Sequence, residues 1–128
     1  MKKILIIAAF IATICSCGNT NKEYCSACED ELTRIYLDLS FAYERREATY
    51  QKLVSQELDI EEFDALDLLY YKYSSEIEGL EKDMKYYEME IKKYSKKWEF
   101  NKWTRRSYTR LDSVKTAIYS YQPALYNN

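Results

Sequence analysis

One spacing constrains this chain more than any other. Phe63, Leu66, Tyr70, Tyr73, Ile77, Leu80, Met84, Tyr87, Ile91, Tyr94 and Trp98 follow one another at alternating intervals of three and four residues. That is the period of an apolar stripe along one side of a helix; a half-buried strand would alternate every second residue. Such a stripe needs a partner. One precedes it: Leu32, Tyr36, Leu39, Tyr43, Arg46, Tyr50 and Leu53 keep the same heptad spacing, and only Arg46 breaks its chemistry. The first pattern stops near Gln56. Asp59-Ile60-Glu61-Glu62 then reads as a second helix start, with a capping side chain and first-turn acids. So few residues separate the helices that they must fold back as an antiparallel hairpin, seam against seam.

After Trp98 the stripe loses phase. Phe100, Thr104, Ser107, Leu111, Val114, Ile118 and Tyr121 continue in a frame displaced by one residue, about 100° around a helix. One straight helix cannot present both stripes to one partner. The spacing predicts a turn at Lys97–Asn101 and a third helix to about Tyr121; a single helix from Ile60 to Tyr121 is the rival, because neither Gly nor Pro marks the break. Two glycines and one proline in 128 residues argue against turn-rich β-structure. The expected fold is therefore all-α, an antiparallel coiled-coil hairpin plus a third C-terminal helix. Ser26-Ala27-Cys28-Glu29 resembles a capping box and sets the expected start of the first helix, with Glu29, Asp30 and Glu31 on its first turn.

The N-terminus reads differently. Lys2 and Lys3 precede an uncharged apolar run from Ile4 to Ile14, too short for a membrane-spanning helix, which needs about 20 residues. A positive start and a run of this length resemble a secretory signal. Ile14-Cys15-Ser16-Cys17 resembles a bacterial lipobox, and Cys17 fits the modified position better than Cys15, which would place bulky Ile14 at the cleavage point. An ordinary signal peptide or a buried N-terminal helix is the bland alternative. The resemblance, confined to residues 1–17, is to small envelope lipoproteins of the Bacteroidetes kind. It implies a cleaved signal over residues 1–16, diacylation (palmitate-type) of Cys17, and anchorage to the cell envelope. Gly18 carries no aspartate-type retention signal, which leans towards an outer membrane rather than an inner one. The expected divisions are then a lipidated cysteine and polar tether over 17–25, a helical domain over 26–122, and a tail over 123–128.

Few residues suggest chemistry. The chain has no histidine, so the commonest acid–base group and metal ligand near neutral pH is missing. Carboxylate pairs such as Glu61/Glu62 and Asp64/Asp67 fall on a solvated helix start. Cys25 and Cys28 form a CxxC at the expected helix N-terminus, where a thiol pKa can be lowered. Without a βαβ context or further ligands, a disulfide within the pair or between two chains is the expectation. A redox or metal role and free thiols are the alternatives. Asp112-Ser113-Val114 resembles a short O-glycosylation sequon of the same bacteria. Fourteen tyrosines are put down to the codon usage of an AT-rich genome, with a functional need for tyrosine as the alternative.

Charge is segregated. Between Glu57 and Glu90 twelve acidic residues face only Lys72, Lys82 and Lys85; between Lys92 and Lys115 nine basic residues face only Glu99 and Asp112. Lys92, Lys93, Lys96, Lys97, Trp98, Lys102, Trp103, Arg105 and Arg106 interleave cations and aromatics. Export argues against nucleic acid, so an anionic lipid, lipopolysaccharide or acidic polymer is the expected counterpart; a basic helix end complementing the dipole is the bland reading. The sequence therefore points to a non-enzymatic, lipid-anchored spacer or partner-binding scaffold, with no cofactor, metal or catalytic residue. It would meet the membrane through its lipid and a protein partner or second copy through its coil. The alternative is a binding module for an anionic envelope ligand.

Overall fold

The structure is a computed structural model that describes residues 20–95 and 97–121. Three helices make it up: α1 (Thr20–Ser55), α2 (Ile60–Tyr94) and α3 (Lys102–Tyr121). The described residues form no strand. The expected signal segment, Cys17 and the tail over 123–128 lie outside the described residues.

α2 begins where its sequence says it should. The Asp59 carboxylate accepts the Glu62 amide at 2.8 Å, and Glu61 and Glu62 lie at the positive end of the helix dipole. α2 runs antiparallel to α1, since Tyr24 meets Glu90, Tyr43 meets Glu81, Arg46 meets Ser74 and Tyr50 meets Tyr70. The polar seam member, Arg46, is accommodated by ring faces: its guanidinium lies 5.2 Å from the Tyr43 centroid and 5.8 Å from that of Tyr70.

The turn expected at Lys97–Asn101 is present, and the rival single helix is not. Ser95 leaves α2 in extended geometry, and Asn101 starts α3 by accepting the Trp103 and Thr104 amides at 2.9 and 3.0 Å. α3 runs parallel to α1. Thr104 meets Thr33, Tyr108 meets Tyr36, Arg110 meets Ser40 and Glu44, and Lys115 lies over the Tyr43 ring. α2 and α3 each pack on α1 and not on each other. α1 is therefore the central helix, and it supplies most of the core: Leu32, Ile35, Tyr36, Leu39 and Ala42 are all fully buried.

Two expectations change here. The first helix starts at Thr20, not Ser26, so residues 20–25 belong to it and not to a tether. Tyr24 and Cys25 are buried, Tyr24 packing edge-on to Tyr94 at 5.1 Å; this tertiary contact extends the helix past the local capping signal. The tyrosines also do structural work. Tyr24, Tyr36 and Tyr43 of α1 donate their hydroxyls to Glu90, Glu88 and Glu81 of α2. Burial first, and the neighbouring carboxylates second, push all three phenols above their ordinary pKa, so they remain donors at any physiological pH.

Tyr87 is the contrasting case. It is fully buried, and its hydroxyl has no hydrogen-bond partner among the described residues. Leaving such a group unsatisfied costs about 1–3 kcal/mol, whereas a hydrogen bond to a charged acceptor contributes about 1.5–3. Tyr87→Phe should therefore hold or raise stability in urea unfolding, and Tyr36→Phe should lower it by about 1.5 kcal/mol or more. Equal losses from the two would contradict this assignment.

Candidate functional site

One end of the bundle gathers the start of α1, the end of α2, the connection after it and the start of α3. The group at its centre is Glu29 of α1. The sequence reads it as the capping-box glutamate of the first turn, but it lies inside α1 and is only 2 % exposed. Its Oε2 accepts the Trp98 indole N–H at 2.6 Å; its Oε1 accepts the Thr104 hydroxyl at 2.9 Å and the Asn101 amide. The Thr33 and Thr104 hydroxyls lie 2.6 Å apart beside it. In an ordinary capping box a glutamate of the same helix reaches back to the N-cap amide. Here a glutamate of α1 takes that amide, so the cap of α3 is made across the bundle. A carboxylate at this N-terminus also meets the positive end of the α3 dipole.

This clasp fixes the expected basic aromatic segment. Lys92, Lys93, Lys97, Lys102, Arg105 and Arg106 are all exposed at this end. The Lys96 side chain lies outside the described residues. Trp103 is 64 % exposed, with the Arg106 guanidinium 5.3 Å from its ring centroid. Trp98 is half-buried against the core and its N–H is taken by Glu29, so it anchors the connection, while it still lines the cavity at this end.

Between the ends of α2 and α3 lies a cavity of 360 Å³ lined by Glu88, Ile91, Lys92, Ser95, Trp98, Phe100 and Tyr108. It opens beside shallower clefts that share Phe100 and add Lys102, Arg105 and Arg106. Trp98, Phe100 and Tyr108 floor it, and Lys92, Lys102, Arg105 and Arg106 outnumber Glu88 and Glu99 around it, which suits a ligand that is anionic at one end and apolar at the other. The cations were legible in the sequence and the cavity was not, because it forms where α2 and α3 each pack on α1 and not on each other. Among the described residues, no cluster of three or more His, Cys, Asp or Glu could hold a metal ion. No described helix is long and apolar enough to cross a membrane.

Cys25 and Cys28, the expected disulfide pair, are free thiols in the structure, and both are buried. With α1 starting at Thr20 they no longer sit at a helix N-terminus. Burial, with Glu29 and Glu90 nearby, raises the Cys25 thiol pKa. Burial pushes Cys28 up to about 12, the Tyr24 hydroxyl opposing it only in part. These are inert thiols, not activated nucleophiles. An unfolded chain would lose the Cys28 proton near its ordinary value of 9.0, while the fold holds it to about 12. Below 9 the contribution is present in full; between 9 and 12 unfolding releases a proton, so stability falls as pH rises. Alkylation at about pH 8 with peptide mapping should leave both cysteines unlabelled in the folded chain and label both in urea. Rapid labelling of the folded chain would contradict the burial; no labelling even in urea would restore the disulfide.

Compared with protein-family models, curated proteins and solved structures, the chain finds no match.

Proposed function

We propose that this chain is a lipid-anchored, non-enzymatic protein of the bacterial envelope, a helical spacer or partner-binding scaffold whose basic end rests on the anionic membrane surface. The observation that carries this reading is a coincidence of ends. Lys92, Lys93, Lys97, Lys102, Arg105 and Arg106 are exposed at the end of the bundle where α1 begins, and Thr20 is three residues from Cys17. A lipid on Cys17 would bring that end to the bilayer. The 36 residues of α1 would then project about 54 Å away from it at 1.5 Å per residue. Exposed Trp103 suits the headgroup level, and each cation near an anionic surface contributes about 1 kcal/mol.

A second reading is favoured by the cavity beside Phe100. There the basic aromatic segment would bind an anionic envelope ligand, a lipid headgroup, lipopolysaccharide or acidic polymer, apart from any bilayer.

A chain beginning at Gly18 should bind anionic vesicles and not neutral ones, with a blue shift in tryptophan emission that weakens as salt rises. Trp103→Phe should remove most of the shift, because Trp98 is already half-buried. Replacing Lys102, Arg105 and Arg106 by Glu should abolish binding. An unchanged spectrum with both vesicle types would sink the membrane reading. Equal affinity for a soluble acidic polymer would favour the second.

A further inference from the structure

The face of α2 turned away from α1 carries a pattern that the monomer uses only in part, through the Tyr86 hydroxyl on Glu90, the Tyr86–Tyr87 ring contact and Lys93 beside the Tyr94 ring. Asp64, Leu68, Tyr71, Ser75, Gly79, Lys82, Tyr86, Met89 and Lys93 are all exposed. At 100° per residue they fall within about 80° of one another, opposite the stripe of Ile77, Leu80, Met84, Tyr87 and Ile91 that faces α1. Leu68 is 73 % exposed, Tyr71 67 % and Met89 70 %. Leu68 and Tyr71 form one exposed apolar pair and Tyr86 and Met89 another, on either side of Ser75, Gly79 and Lys82; adjoining exposed apolar groups mark interaction sites.

The order of the row is self-complementary. Read from both ends towards the middle, Asp64 pairs with Lys93, Leu68 with Met89, Tyr71 with Tyr86 and Ser75 with Lys82. Acid meets base, apolar meets apolar, and ring meets ring. The midpoint falls between Glu78 and Gly79. Gly79 is an independent observation. It stands in the interior of a 35-residue helix, where glycine is unfavourable, and a Cβ added there would meet nothing within 4 Å. Nothing inside the monomer requires it. A glycine where two helices cross lets their backbones approach closely.

We propose that two copies of the chain associate through these outer faces of α2, antiparallel, about a two-fold axis beside Gly79. Such an interface is isologous: each copy contributes both halves of every pair. The cations of one copy near Lys93 meet the acidic start of α2 in the other, which uses the charge segregation of the chain. The proposal goes beyond the membrane reading and does not need it. Where a lipid is present on Cys17, the arrangement would place the two anchors at opposite ends, as a bridge between facing surfaces requires.

The test uses the full chain in mild detergent, followed by sedimentation equilibrium. The expected species is a dimer. Lys93→Glu or Asp64→Lys alone sets like charges against each other twice per dimer and should weaken association about tenfold or more. The double variant Asp64→Lys/Lys93→Glu should restore it, which a parallel pairing would not. Gly79→Leu should give monomers whose helix content is not lowered. A monomeric wild-type chain, unaffected single variants, or a double variant no better than the singles would overturn the proposal. Loss of vesicle binding with dimerisation intact would separate failure of the membrane reading from failure of this one.

Discussion

A buried carboxylate with no cation paired to it among the described residues organises this fold. Placing Glu29 out of water is unfavourable unless its oxygens are satisfied. Trp98, Asn101 and Thr104 supply that satisfaction, and all three belong to the segment that leaves α2 and starts α3. The need runs both ways, since the indole N–H and the Asn101 amide also have to be paired. The connection is thereby held at one level of α1. With its first turn fixed there, α3 can run only along α1, and its apolar residues Leu111 and Ile118 are carried into the core. The end of α2 and the start of α3, not packed on each other, leave the cavity around Phe100, and the exposed cations are set at one end of the bundle.

The hairpin itself follows a different rule. α1 is covered on two sides, so its buried surface is wider than one seam. α2 is covered on one, and only Ile77, Tyr87 and Ile91 are buried along it. The three tyrosine–glutamate hydrogen bonds let long side chains bury their rings and keep their polar ends at the seam's edge. Beyond the reach of α3 the hairpin stands as two helices, and no residue from 50 to 76 is fully buried. The hairpin is therefore best packed at the end that carries the proposed contact with the membrane.

The repeating features of this architecture were legible in the sequence. The unbroken stripe from Phe63 to Trp98 implied the hairpin, Asp59 marked the start of α2, and the one-residue phase shift after Trp98 implied the turn that no glycine or proline announces. What could not be read depended on contacts between distant residues. The start of α1 moved because Tyr24 and Cys25 find partners near Glu90 and Tyr94. The second buried stripe of α1, through Ile35, Ala42 and Thr49, overlaps the first and blurs its period. Glu29 looked like any first-turn acid, because the donors that bury it lie about seventy residues away. The anchoring of Trp98 on Glu29 was hidden for the same reason, while the exposed cations of that segment stand where the sequence put them.

The account makes Glu29 the link that docks α3, and native-state hydrogen exchange of Glu29→Ala examines that link directly. Losing a buried acceptor shared by three donors should cost about 3 kcal/mol, roughly a hundredfold in an opening equilibrium. The account predicts that the amides of Lys102–Tyr121 exchange about a hundredfold faster in the variant than in the wild-type chain. Amides of Lys102–Tyr121 that keep their wild-type protection would contradict it.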